Sequence, residues 1–490
     1  MKRIFILLVS VFCLSINFTL IAAPGSLFKI ASSGTAAAID IVLCGNGKAP
    51  FSCQNYHVTG TKLSITATAN HLYPAAGIKV STPGFPPSGC TQSSNGYCLF
   101  TVSNTSPALI TLSANRTPRV TVGYGQANNV QTPISYTSTD AGISWSNSVA
   151  LTLPMNAISA YLGKVSCSQE GMHCVALGTS TNSTSTTLIT YRTIDGGMHW
   201  DTAVQLSAPS GNSTFSRSGG LFCSESGLSC VVLATYQING VFQPVSYSSS
   251  DGGLSWSSPN NFPPIGVTPN NPRTYAISCD SSAQRCIAIG RNTNRLLSYI
   301  TTNGGTSWSS PVIKQMPSGI TVPTLFGLSC STNGLTCTTV ASDSASGLAF
   351  SYFTTDGGLS WSDVTFLSLP GAGDYFQVGS VSCNISGNSC VVVGELSGRS
   401  ASYTTTNNGI NWSAPILPTV PTGSVDNSFN GLMCDKDAIN CIAVGSGVIG
   451  GITYPYSYTS TDGGNSWNQM TLLSLYNGNS SNLSAVSGSQ

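Results

Sequence analysis

Charge is scarce in this chain. Only 7% of its 490 residues are Asp, Glu, Lys or Arg, and the net charge is +1. A protein that binds nucleic acid must neutralise many phosphates with clustered Lys and Arg, so this composition argues against that class. Glutamate is almost absent, with three copies at Glu170, Glu225 and Glu395. The four histidines, His57, His71, His173 and His199, are scattered. No cysteines carry the C-x2-C spacing of a zinc site, and no phosphate-cradling glycine loop leads into a lysine. No metal and no cofactor are therefore expected. Beyond the first 25 residues no apolar run is long enough to span a bilayer, so no integral membrane segment is expected after that point. Long helices are disfavoured by 51 Gly and 25 Pro, which leaves short strands separated by frequent turns.

The start of the chain reads as a secretory leader. Lys2 and Arg3 precede an apolar run from Ile4 past Cys13, followed by the small residues of "IAAPGS". Cleavage is expected after Gly25, which makes 1–25 the signal peptide. Of 17 cysteines, the one at Cys13 leaves with the leader, and the other sixteen fall into close pairs. The pairs are Cys44/Cys53, Cys90/Cys98, Cys167/Cys174, Cys223/Cys230, Cys279/Cys286, Cys330/Cys337, Cys383/Cys390 and Cys434/Cys441. The last six share the spacing C-x6-C. Eight local disulfides in an oxidising compartment are the simplest reading, which gives a secreted, periplasmic or surface-exposed protein. Closing so short a loop contributes about 2 to 3 kcal/mol in the loop-entropy picture.

"SYTSTDAGISW" at 135–145 returns almost unchanged as "SYTSTDGGNSW" at 457–467. The pattern [ST]-x-[DN]-x-G-x-x-W occurs seven times, ending at Trp145, Trp200, Trp256, Trp308, Trp361, Trp412 and Trp467, which are all the tryptophans of the chain. Successive copies lie 51 to 56 residues apart, the period of an array of supersecondary units. Each unit reads as four strands. In 164–206 these are "KVSC", "CVALG", "LITYRT" and "WDTAVQLS", with turns at "SQEGMH" and "IDGGMH". Seven four-stranded units predict an all-β, seven-bladed propeller over 116–490. Blade one lacks a first strand of its own. "LSAVSGSQ" at 483–490 matches "LGKVSCSQ" at 162–169, with Gly488 in the place of Cys167, and so is expected to close the ring.

The phrase resembles the Asp-box, or BNR, repeat found in sialidases, sortilin-type receptors and propellers similar to photosystem assembly factors. The resemblance covers about 117–490 and implies fold rather than activity, because the repeat occurs in enzymes and non-enzymes alike. The acidic position is Asp140, Asp195, Asp251, Asn303, Asp356, Asn407 and Asp462. Asn can hold a turn but cannot act as an acid or nucleophile, so the repeat is expected to be architectural. Its Asp or Asn would accept backbone N–H bonds, its glycine would supply an unusual backbone conformation, and its Trp would pack over the turn.

In such a blade the disulfide turns and the Asp-box turns share one face, and the other connections share the opposite, loop face. Variable loops on a rigid scaffold carry binding. The loop-face segments are "PSGNSTFSRSGG", "PPIGVTPNNPRTY", "PGAGDYFQVG" and "PTVPTGSVDNSFN". Candidate ligand-binding residues there are Arg217, Arg273, Arg291, Arg295, Arg399, Tyr161 and Tyr375, with Tyr236, Tyr275, Phe326, Phe376 and Phe429 as further aromatics. The acids expected on this face are Asp343, Asp374, Glu395 and Asp426. A mixture of arginine and aromatic residues suits a glycan or protein ligand bound by a monomer. The alternative implied by the resemblance is a sialidase-like hydrolase, with three arginines on a carboxylate, Tyr275 or Tyr375 as nucleophile, and Glu395, Asp374 or Asp426 assisting. The F/Y-R-I-P motif of that family is absent, and "TPRV" and "NPRTY" are poor substitutes. A third reading is an assembly factor or scaffold. Residues 26–115 lack the repeat, alternate like strands in "KLSITAT" and "PALITLS", and are expected to form a small β-sandwich.

Overall fold

The computed structural model describes residues 118–127, 130–266, 271–321 and 323–488 in full, except that only the backbone is described at 326. The backbone alone is described for 19–20, 28–33, 38–44, 53–59, 62–67, 76–80, 91–92, 98–102 and 108–111. All elements among them are strands. The chain divides into two compact units, Met1–Arg116 and Thr117–Gln490.

In the first unit two antiparallel sheets form. One runs in the order Thr19–Leu20, Phe28–Ser33, Lys62–Ala67, Ala108–Thr111. The other runs Cys53–Thr59, Ala38–Cys44, Ala76–Val80, Cys98–Val102, Thr91–Gln92. Cys44 stands directly opposite Cys53 in the register of its pair of strands. The bond between those two side chains, the Cys90/Cys98 pair, Cys13, the cleavage after Gly25 and the expected sandwich packing lie outside the described residues.

The second unit is a seven-bladed propeller. Blade two shows the pattern: Ser159–Cys167, Cys174–Thr181, Thr186–Thr193 and Val204–Gln205 pair in sequence order, antiparallel throughout. Blades three to seven occupy 213–261, 273–315, 323–366, 376–416 and 424–472. The outer strand is shorter than its sequence predicts. "WDTAVQLS" pairs through only Val204 and Gln205, and in blade six the outer strand shrinks to a single bridge between Ser402 and Ile416. Short outer strands leave little unpaired edge for another chain to join.

Blade one is built from both ends of the unit. Ser481–Gly488 is its inner strand and pairs with Arg119–Ala127, placing Gly488 opposite Arg119 where every other blade has its two cysteines opposite each other. The closure expected from "LSAVSGSQ" is therefore present. Six disulfides join the inner pair of strands in blades two to seven, at Cα separations of 3.9–4.1 Å. They are Cys167–Cys174, Cys223–Cys230, Cys279–Cys286, Cys330–Cys337, Cys383–Cys390 and Cys434–Cys441. They indicate an oxidising, extracytoplasmic environment.

The pairing is the one expected from the spacing, and the cysteines also serve the core. The spacing presents each pair as a staple across a turn. Cys230, Cys337, Cys390 and Cys441 are also buried and belong to the apolar core. Cys230 clusters with Val175, Cys337 with Leu328, Cys390 with Val340 and Cys441 with Ala443. The physical reason is position. Each opens the second strand of its blade, which is buried along almost its whole length, so the sulfur fills core volume as well as crosslinking.

The core lies between blades rather than within them. Ile134 and Tyr136 of blade one, for example, pack with Ile442 and Val444 of blade seven and Leu483 of the closing strand. The repeated phrase supplies much of this packing. In blade three, Ser249 Oγ donates to Asp251 and accepts the Gly253 N–H, while Asp251 accepts the Ser255 N–H at 2.9 Å. Gly252 and Gly253 have φ of 72° and 85°, a region that side chains resist. Burial pushes the Asp251 carboxyl up, but its hydrogen bonds from Ser255 and Ser249 outweigh this and hold it below the usual carboxylate range. Asn303 and Asn407 make the same backbone contact, to Ser307 and Asn411.

The tryptophan does more than cover its own turn. In six of the seven copies, Trp361 excepted, its indole N–H donates to a hydroxyl on the third strand of the preceding blade: Trp200 to Ser135, Trp256 to Thr190, Trp308 to Ser246, and Trp145 around the closure to Ser457. The tyrosine after that hydroxyl is buried, and Tyr191 donates to the Thr152 carbonyl and Tyr247 to the Ser207 carbonyl, each in the connection from the preceding blade. The phrase is thus a joint between neighbours.

At the disulfide face the turns form a belt around the axis. The N–H groups of Gln169, Glu225, Ser281, Thr332 and Ile385 each donate to the carbonyl of the equivalent residue one blade on, ending at Lys436. Beneath them, Cys N–H groups donate to a serine Oγ of the preceding blade at five junctions, for instance Cys223 to Ser166 and Cys167 to Ser487.

Candidate functional site

The seven inner strands enclose an axial channel with a cavity of about 300 Å³. Each inner strand carries a bulge near its loop-face end, where two residues oppose one on the second strand. The bulges keep residues expected in loops inside strands. Arg217 lies within Ser213–Cys223, Arg273 opens Arg273–Cys279, Arg291 lies in Cys286–Asn292, and Arg295 and Arg399 open third strands. "PSGNSTFSRSGG" and "PTVPTGSVDNSFN", expected as loops, are largely the eleven-residue inner strands of blades three and seven.

Three arginines converge. The Arg217 guanidinium stacks on the Tyr275 ring at 3.9 Å from its centroid, and Arg291 approaches the same ring at 5.9 Å. Arg273 stands opposite Arg291 in the strand register and lies over Phe242 at 4.2 Å. Like charges opposite one another on a sheet repel, and aromatic faces offset part of that cost. Burial lowers the pKa of Arg217, and the neighbouring Arg273 and Arg291 charges act in the same direction against the Tyr275 contribution. Arg217 Nε and Arg295 Nη1 are buried with no hydrogen-bond partner. The ion pairs among the described residues join Arg192 to Asp201, His199 to Asp195 and Lys314 to Asp363, and none involves this cluster.

The acids sit elsewhere. In blade six the Tyr375 hydroxyl donates to Glu395 at 2.8 Å, and Ser397 donates to Asp374 at 2.9 Å. The hydrogen bond to Glu395, with burial and the Glu395 and Asp426 charges behind it, raises the pKa of the Tyr375 phenol. Asp426 is exposed at a bulge of blade seven with φ of 51°, and the next residue, Asn427, donates its N–H to the Gly398 carbonyl of blade six. Asp374 and Tyr375 border an open hollow of about 510 Å³ beside the Ser344–Ala345–Ser346–Gly347 turn of blade five. Arg217, Arg273, Arg291 and Arg295 lie in blades three and four, and Asp374, Glu395 and Asp426 lie in blades six and seven, where Arg399 also stands.

Several expected site residues are structural. Asp343 is fully buried and accepts the N–H groups of Thr321 and Ser346, closing a hairpin. Tyr236, Phe376 and Phe429 belong to the core, where Phe429 packs edge-on against Tyr458. The side chain of Phe326 lies outside the described residues. Tyr161 is exposed and meets, among the aromatic rings of the described residues, the edge of Tyr124. Arg399 is exposed on the blade-six hairpin, remote in sequence order from the other arginines.

Sequence reasoning missed Lys164, which lines the axial channel. Burial, with the Arg217 charge next, pushes its ammonium below the ordinary lysine range.

No protein-family model and no curated protein matches the chain. Among solved structures it is similar to a protein from Lactobacillus plantarum at 13% identity, covering 76% of this chain and 99% of that one, with a TM-score of 0.50. It is also similar to a mutant of the NanB sialidase from Streptococcus pneumoniae, at 13% identity over 85% and 86% of the two chains, with a TM-score of 0.38. A putative 6-phosphogluconolactonase from Bacteroides fragilis aligns at 9% identity over 76% and 98%, with a TM-score of 0.47. At such identities the likeness is one of fold, and the fold it supports is the propeller already described.

Proposed function

We propose that this is a secreted or surface-exposed binding propeller that takes a glycan or protein ligand on its loop face. The observation behind the reading is the cationic and aromatic cluster of Arg217, Arg273, Arg291 and Tyr275, which has no acid within ion-pair distance. Unpaired guanidinium groups that are part-buried on a face are costly unless a partner supplies the missing charge. Aromatic and arginine anchors of this kind dominate binding surfaces.

The sialidase-like alternative has one observation in its favour, the Tyr375–Glu395 hydrogen bond, which places a phenol beside a general base. The three converging arginines belong to other blades, and Glu395 does not stand among them. Binding to a glycan or protein array without turnover of a fluorogenic sialoside is the expected result for purified protein. Robust hydrolysis that disappears in Glu395→Gln would overturn it in favour of the enzyme.

A further inference from the structure

The turn that joins the second strand of a blade to the third is two residues long in blades three, four, six and seven, at 239–240, 293–294, 397–398 and 450–451. Blade two uses four residues there, and blade five uses five, 344–348. The longer turn of blade five is firmly held. Asp343, fully buried, accepts the Ser346 N–H at 2.9 Å and the Ser346 hydroxyl at 2.7 Å, and the Gly347 N–H donates to the Asp343 carbonyl at 2.8 Å. Burying a carboxylate is costly without such partners, so the turn has one shape. It forms one wall of the open hollow of about 510 Å³, and the connection from blade five to blade six forms the other.

The second wall carries an aromatic side chain that is both exposed and fixed. Tyr375 is 41% exposed. Its hydroxyl donates to Glu395 at 2.8 Å, its N–H donates to Ser397 Oγ at 3.2 Å, and its carbonyl accepts the Ser397 N–H at 3.1 Å. The next residue, Phe376, is buried with its ring centroid 4.8 Å from that of Tyr403. The Phe376 N–H crosses to the Gly347 carbonyl of the blade-five turn at 3.1 Å. A Cβ at Gly347 would stand 2.8 Å from the Tyr375 Cβ, so the two walls meet at the foot of the ring. An exposed ring that is already ordered loses little entropy when a ligand stacks on it.

The rest of the lining decides what fits. Apart from Tyr375, Leu348 and Leu369 it is built of Ser, Ala and Gly, and the charge it carries is that of Asp374. Asp374 Oδ1 accepts the Ser397 hydroxyl at 2.9 Å. A Cβ at Gly371 would stand 3.2 Å from Asp374 Oδ2, so glycine there leaves this second oxygen uncrowded. A carboxylate oxygen beside an aromatic face accepts hydroxyls and repels anions. A sugar ring offers both complements, an apolar face of C–H groups and a rim of hydroxyl donors. The volume lies within the range of roughly 300–1,000 Å³ usual for ligand sites. We infer that the hollow between blades five and six binds a neutral saccharide, with one ring stacked on Tyr375 and a hydroxyl donated to Asp374. The site is separate from the arginine cluster of blades three and four and opposite to it in charge, so it adds a second seat to the loop-face reading without depending on that cluster.

The test presents the full chain to an array of neutral, uronate-bearing and sulfated oligosaccharides, and then titrates the neutral ligand that binds best by calorimetry. Tyr375→Ala should weaken that ligand about tenfold, the worth of one aromatic face. Asp374→Asn should weaken it about tenfold as well, because a charge-assisted acceptor is lost. Tyr375→Phe keeps the ring and should bind within about threefold of the wild type. Ala345→Trp fills the hollow from the blade-five wall and should abolish binding. Val241→Ser, at the hairpin tip of blade three, should bind as the wild type does. If Tyr375→Ala does not fold, Ala345→Trp and Asp374→Asn still decide. An array with no neutral ligand, or a neutral ligand whose affinity is unchanged in Tyr375→Ala, overturns the inference. Tighter binding of uronate or sulfated ligands through Tyr375 overturns the neutral class. Neutral binding that falls in Tyr375→Ala and survives Arg217→Gln supports the hollow whatever the arginines do. Array binding that falls in Arg217→Gln and survives Tyr375→Ala overturns the hollow and leaves the loop-face reading standing.

Discussion

The two ends of the propeller are built by opposite rules. At the disulfide face each blade repeats its neighbour: the same turn, the same buried tyrosine and, in all but blade five, the same indole N–H to a hydroxyl one blade back. At the loop face the charges differ from blade to blade, with the stacked Arg217 in blade three and the Tyr375–Glu395 and Ser397–Asp374 bonds in blade six. A joint must fit its copy on either side, so its residues are held in common around the ring. A surface that meets something else is free of that constraint, and its irregularity is where a ligand can be distinguished.

The comparison breaks most severely at alkaline pH. Burial pushes the phenols of Tyr136, Tyr352 and Tyr403 up to about 12, with the Asp363 charge adding to Tyr352 and the Asp374 charge to Tyr403. A phenol in the unfolded chain titrates near 10, so the folded state holds its proton longer. The stabilisation is complete below about pH 10 and is lost as pH rises through about 12. With the joint tyrosines buried in every blade, circular dichroism should report cooperative unfolding across that window. Survival of the native spectrum at pH 12 would show that the joints do not govern stability. Next in size is Trp308→Ala, which removes a buried indole and orphans the Ser246 contact. A loss of about 3–5 kcal/mol in denaturant unfolding is expected. At the loop face, by contrast, Glu395→Gln should shift stability by no more than about 0.5 kcal/mol, because its side chain bonds one exposed tyrosine. A loss there comparable to that at Trp308 would erase the distinction between the two ends.

How much of this was legible beforehand follows the same division. The repeat gave the blade count, the paired cysteines and the closure by "LSAVSGSQ", since each depends on a pattern that recurs along the chain. That Cys337 and Cys390 also fill the core was not legible, because spacing reports a link and not what surrounds it. The role of Trp256 was only half legible. Its turn is local, but its bond to Thr190 depends on how two blades register in space. Arg217 was placed in a loop because "STFSRSGG" is rich in Gly and Ser, and the two bulges that keep it in a strand are set by the neighbouring second strand. Tyr236, Phe376 and Phe429 looked like loop aromatics for the same reason and are core. Lys164, taken by itself, reads as an ordinary strand residue. Aligning the inner strands position by position would have exposed it, since its equivalents are all Gly, Ala or Ser.

The serine belt has two gaps. Phe222 occupies the serine's place before Cys279, and Met433 occupies it before Gly488. A closed ring cannot unravel from an end, so its slow breathing must begin at a seam, and these two are the seams with one strap fewer. They divide the circle unequally, and the seam between blades three and four is also crossed by the Arg217–Tyr275 stack. A ligand that settled on that stack would act as a clasp on the ring, coupling occupancy of one face to the rate at which the whole circle opens.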